Sequence, residues 1–186
     1  MSGPTPDTEG DSALVVVIPE SEPAVAHLRD RYDRVASMGV PAHVTVLYPF
    51  VPRRQIDVEL RDALASLFGG LPAFAYRFDS VGRLGPGTVV LNPQPASAFS
   101  RLTDTVYRRW PAYPPYGGVF DVVIPHLTVG DHLGVDAARE VEAAARESLD
   151  RTGPVTGQAT FVSLIVADDD WQWSTHSEYP LASPVS

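Results

Sequence analysis

The stretch PAHVTVLYPF, residues 41–50, decides the reading of the fold, because IPHLTVGDHL at 124–133 repeats its centre. Each holds His-x-Thr-Val, and the two histidines, His43 and His126, stand 83 positions apart. A β-branched, alternating run of this length predicts a strand. Side chains two apart on a strand share a face. His43 and Thr45 therefore point one way, while Val44 and Val46 point into a core. His126 and Thr128 pair in the same manner, with Leu127 and Val129 behind them.

The flanking sequence predicts a similar order of elements around each motif. ALVVVIP (13–19) reads as a buried strand. Val25, Leu28, Tyr32 and Val35 step by three and four, which predicts a helix started near Ser21 and Pro23. Beyond the first motif, Ile56, Leu60, Leu64 and Phe68 mark a second helix stopped by GGLP. FAYRFDSVGRL and TVVLN then read as strands joined by a turn at GPG. Phe99, Leu102, Val106 and Trp110 predict a helix capped at Ser97 and ended by Pro111, the helix that precedes the second motif across a long segment. After that motif come a helix carrying Val141, Ala145 and Leu149 and a closing strand pair, QATFVSLIVADD and WQWSTHSEYP. Helices and strand pairs recur at roughly the offset of the histidines, the mark of an internal duplication. The expected fold is α+β and bilobal, with two antiparallel sheets flanked by helices around a central cleft. Residues 13–181 form one domain in this reading, with tails at 1–12 and 182–186.

Composition narrows the function. The 186 residues carry 14 basic and 23 acidic side chains, a net charge of −9. A long duplex of DNA or RNA is gripped through Lys and Arg, so the charge argues against a large nucleic-acid footprint. It leaves room for a small phosphate-bearing ligand, favouring a small nucleotide or a short RNA terminus over a long RNA. There is no cysteine, which removes disulfides, thiolate metal sites and thiol nucleophiles. No apolar run approaches the length of a membrane span, and the polar N-terminus does not read as a signal peptide. A cytoplasmic monomer is the expectation.

Two histidines and two threonines around one cleft suit a phosphodiester. A neutral imidazole can take a proton from an attacking water or hydroxyl while an imidazolium protonates the departing oxygen. Threonine hydroxyls can hold the non-bridging oxygens. Such a site needs no metal or cofactor. His132 and His176 do not fall at a recognised ligand spacing beside His126. The long segment PAYPPYGGVFDVVIP (111–125) is placed to border the cleft. Tyr113 and Tyr116 from it, with Tyr48, Phe50 and Arg53 after the first motif, are candidate substrate-binding residues. GRLGPG (82–87) lacks the Lys-Ser/Thr of a phosphate loop and predicts a turn between strands. Trp171 and Trp173 alternate as packing residues of a strand would.

With HVTV and HLTV in a duplicated framework, the chain resembles the 2H phosphoesterase superfamily, which includes the 2′-5′ RNA ligase-like proteins and cyclic phosphodiesterases. AHVTVLYPF, PPYGGVF and PHLTVGD carry the likeness to its bacterial 2′-5′ RNA ligase-like members. The resemblance implies a cleft between two lobes and metal-independent chemistry on 2′,3′-cyclic phosphates or 2′-5′ linkages, with His43, Thr45, His126 and Thr128 as its catalytic residues. The rival expectations are a non-catalytic nucleotide-binding module using the same cleft, a 2′-5′ RNA ligase, and a metal-dependent hydrolase.

Overall fold

Every strand pairing of the sheet is antiparallel, and the two motif strands meet at its middle. The computed structural model describes residues 10–183. Its strands are β1 (Ser12–Val17), β2 (His43–Leu47), β3 (Phe74–Leu84), β4 (Thr88–Gln94), β5 (Leu127–Gly130), β6 (Val155–Ala159), β7 (Phe161–Ala167) and β8 (Trp173–Pro180). Its helices are α1 (Glu22–Tyr32), α2 (Arg34–Ser37), α3 (Val58–Gly69), α4 (Ala96–Arg109) and α5 (Val135–Thr152).

The α+β class is as expected, but a single eight-stranded sheet stands in place of two. Its order is β6-β3-β4-β5-β2-β1-β7-β8. The halves join where Val44 of β2 pairs with Leu127 of β5. Each half places a motif strand inside and three strands outside it, in mirrored order. The halves are not successive stretches of chain. β3 and β4 follow the first motif in sequence yet stand beside β5, and β7 and β8 return to flank β1. The expected closing run also divides at Thr160, and β6 leaves to pair with β3 at the far edge.

Val44, Val46, Leu127 and Val129 are buried on the helix-facing side with Leu14, Val16, Leu91 and Leu164. The helix before each motif packs across the midline: α1 against β5, α4 against β2. This crossing ties the halves through one apolar core, to which Phe68, Phe78 and Phe99 contribute fully buried rings. Burial of such rings stabilises by about 1.5–3 kcal/mol each.

Local signals explain most boundaries. Asp57 caps α3 by accepting the Leu60 N–H at 2.8 Å. The GPG turn joins β3 to β4, with Leu84 opposite Thr88. The first expected helix breaks at Asp33, whose extended backbone ends α1 and whose side chain caps α2 through the Val35 N–H. Asp33 is buried and paired with Arg29 at 2.9 Å. Pro95, not Ser97, occupies the N-cap of α4. Of the expected tails, residues 1–9 and 184–186 lie outside the described residues. Ser12 is already a buried strand residue, its hydroxyl donating to the Val51 carbonyl at 2.6 Å. Ala182 bridges to Pro72.

Candidate active site

Both motif histidines are fixed by one local device. His43 Nδ1 lies 2.8 Å from the carbonyl oxygen of Pro41, and His126 Nδ1 lies 2.7 Å from that of Ile124. A carbonyl oxygen can only accept, so each Nδ1 carries the proton and each Nε2 turns to the site as a base. The anchor is the residue two positions back in both cases.

Strand alternation places the rest. Along β2, His43 and Thr45 are half-buried while Val44 and Val46 are buried, and β5 repeats this with Thr128 between Leu127 and Val129. The Val44–Leu127 pairing, carried one residue either way, sets His43 across from Thr128 and Thr45 across from His126. Facing residues of an antiparallel pair have Cβ atoms roughly 4.5–5.5 Å apart. The four polar side chains thus form a quadrilateral with the histidines on one diagonal.

The electrostatics of the site follow from this packing. His43 is pulled down to about 4, first by burial, and also by the positive charges of Arg29 and of His126, while the Pro41 carbonyl opposes the shift. His126 is lowered by burial, partly countered by the Ile124 carbonyl and by Asp131. Both shifts favour the neutral imidazole. His43 Nε2 is 3.2 Å from Thr45 Oγ1, and Thr45 is also hydrogen-bonded with the Tyr116 phenol. Tyr116 is held there by its own backbone, whose N–H donates to the Tyr48 carbonyl at 2.6 Å. Its φ of 52° opens a run of left-handed residues continued by Gly117 and Gly118, so the loop turns sharply enough to aim the ring at Thr45.

A cavity of about 450 Å³ opens from His43 and Thr45, and Tyr48 lines it. Trp171 and Trp173, read from the sequence as packing residues, line it as well. The alternation that suggested packing holds for Trp173 in β8, but Trp171 stands in the preceding turn with φ 58°. The remaining candidates are placed elsewhere. Phe50 is 2% exposed and packs edge-on against Trp110 and Tyr113, so its ring belongs to the core. Tyr113 is committed to that same aromatic group. Arg53 pairs with Asp169 at 2.6 Å on the surface. Among the described residues no group of three or more His, Cys, Asp or Glu side chains is disposed to hold a metal ion, and no helix is long and apolar enough to cross a membrane.

Two His-x-Thr strands meeting at the centre of one antiparallel sheet are the arrangement that the resemblance to the 2H phosphoesterases leads one to expect. The model of the 2′-5′ RNA ligase superfamily matches residues 17–171, and the chain belongs to that superfamily. Solved structures share the fold at low sequence identity. Escherichia coli LigT complexed with ATP matches with a TM-score of 0.54 and 16% identity, covering 95% of this chain and 99% of that one. E. coli LigT complexed with 3′-AMP gives 0.51 and 14%, covering 93% and 98%. TT0787 of Thermus thermophilus gives 0.55 and 16%, covering 93% and 98%. Among curated proteins none matches the chain in sequence.

Proposed function

We propose that this protein is a metal-independent phosphodiesterase acting on the 2′,3′-cyclic phosphate or 2′-5′ phosphodiester of a nucleotide or short RNA end. The observation that carries the reading is the matched pair of imidazoles, each anchored through Nδ1 to a backbone carbonyl so that Nε2 is the unprotonated nitrogen. Membership of the superfamily and the nucleotides held by LigT support the substrate class.

The chemistry balances within these residues. Water attacks phosphorus and loses a proton to the Nε2 of one imidazole. The ribose P–O bond breaks, and the other imidazole, protonated, gives its Nε2 proton to the departing ribose oxygen. Binding the phosphate anion favours that protonated form, because an opposite charge within a few ångströms raises an imidazole pKa. Thr45 and Thr128 donate their hydroxyls to the non-bridging oxygens, where charge accumulates in the transition state. Thr45 exchanges its contact with His43 for one with phosphate, and the Tyr116 phenol keeps the threonine oriented during the exchange. Roles of base and acid interchange if the reaction runs towards ligation.

The test is a screen of 2′,3′-cyclic nucleotides and 2′-5′ dinucleotides in excess EDTA, with products resolved by chromatography. The expected result is hydrolysis at a rate unchanged by EDTA. Turnover that disappears with EDTA and returns with a divalent cation contradicts the proposal.

A further inference from the structure

The cavity is lopsided. It touches His43 and Thr45 but neither His126 nor Thr128, and its walls come from β1, β2, β7, β8 and the α2 region. We infer that it is the subsite for the nucleoside attached to the reacting phosphate: an aromatic base lies among Val35, Met38 and the indole of Trp171, its sugar turned to His43 and Thr45. The inference rests on the phosphodiesterase reading above and names the substrate class further. The substrate carries a base, and that base sits on the His43 side.

The sequence shows why an apolar site exists here. A sheet with one face open to water alternates apolar and polar residues, yet β1 is buried at every position except its last. Its site-facing residues, Ala13 and Val15, join Ile165 of β7 and Val40 in a second apolar cluster, separate from the main core. Trp173 and Tyr48 pack at the edge of this cluster, with ring centres 6.2 Å apart at 61°. Flat apolar surface beside aromatic rings is what a nucleobase covers well.

Trp171 is the second observation. It sits at φ 58°, a conformation unfavourable for a bulky side chain and a mark of functional sites. The surrounding turn enforces it. The Trp171 N–H donates to the Asp168 carbonyl at 3.0 Å, the Asp168 N–H donates to the Gln172 carbonyl at 2.9 Å, and Asp168 Oδ1 accepts from the N–H groups of Asp170 and Gln172. A glycine would hold this backbone with less strain, but it would bring no indole to the cavity. Arg34 adds the third. It is exposed on the cavity lining and forms no ion pair among the described residues, which fits a further phosphate on the same nucleotide.

The experiment follows tryptophan fluorescence of the full chain during titration with adenosine 2′-monophosphate and adenosine 2′,5′-bisphosphate, and so needs no turnover. Trp171→Ala is expected to weaken binding of both at least about fivefold, the lower end of base stacking on an aromatic ring, with Trp171→Phe restoring most of it. Arg34→Gln is expected to bring the bisphosphate down to the affinity of the monophosphate. In kinetics, Trp171→Ala raises KM for adenosine 2′,3′-cyclic phosphate by the same factor. It leaves kcat within about twofold, and leaves a base-free five-membered cyclic phosphate diester unaffected. Unchanged nucleotide affinity in Trp171→Ala, equal loss for the base-free diester, or absence of nucleotide binding by the native chain overturns the subsite. Binding that depends on Trp171 without turnover upholds the subsite and overturns the phosphodiesterase reading instead.

Discussion

The pH dependence of kcat/KM follows directly from the two half-buried imidazoles. The active form of the free protein needs one ring charged and the other neutral. Burial holds His43 at about 4 and keeps His126 below its ordinary 6.5, so both rings are neutral well before pH 8. Each charged ring also opposes charge on the other, so the pair loses its two protons in separate macroscopic steps. The singly protonated form is abundant between those steps and falls tenfold per unit above the second. From pH 7 to pH 9, kcat/KM is therefore expected to drop about a hundredfold, with a slope of −1 on a logarithmic plot, and its maximum lies on the acid side of 6.5. Bound phosphate favours the imidazolium, so the corresponding limb of kcat moves to higher pH. Initial rates on a 2′,3′-cyclic nucleotide at constant ionic strength, from pH 4 to 9, give both profiles. A kcat/KM that is level or rising between pH 7 and 9 refutes the reasoning.

Three further predictions concern the same machinery. A depressed histidine pKa contributes stability that is complete above 6.5 and is lost as pH falls through the folded value. His43 therefore weakens the fold by on the order of 3 kcal/mol between pH 7 and 4, read as a shift in the denaturant midpoint that His43→Gln diminishes. Arg29→Ala leaves the Asp33 carboxylate buried without its ion partner and the Val40 carbonyl without its donor. A loss of about 3–5 kcal/mol in chemical denaturation is expected, and Arg29→Lys recovers only part of it because Nε and Nη2 both reach Asp33. Tyr116→Phe removes the phenol from Thr45 and is expected to lower kcat about tenfold, the worth of one hydrogen bond, with the melting temperature nearly unchanged.

The motif pairs are legible in the sequence because strand alternation is a local rule. His43 with Thr45, and His126 with Thr128, need only the two-residue period and a buried apolar partner between them. The turn at GPG and the stop at GGLP are legible for the same reason, since glycine and proline act on their immediate neighbours. Strand partnership is not legible. β3 and β4 carry nothing in their own sequence that sends them to β5 rather than β2, because that choice is made by long-range pairing and by α1 and α4 crossing the midline. Phe50 reads as a site residue from its nearness to His43, but the chain turns after Tyr48 and directs its ring to Trp110 and Tyr113. Trp171 escapes the alternation rule because its turn is set by hydrogen bonds from Asp168. The near-continuous apolar strand SALVVV, buried at all but its last position, is the available clue to the cavity, since a strand open to water on one face would alternate.

The central claim is that His43 and His126 act as a unit on one phosphate. Its most direct test is kcat for His43→Ala, His126→Ala and the double variant on a 2′,3′-cyclic nucleotide, each verified as folded. The account predicts that either single replacement lowers kcat at least a thousandfold and that the double variant is scarcely slower, as residues of one catalytic unit behave. A folded single variant within tenfold of the native rate, or losses that multiply in the double variant, contradicts it.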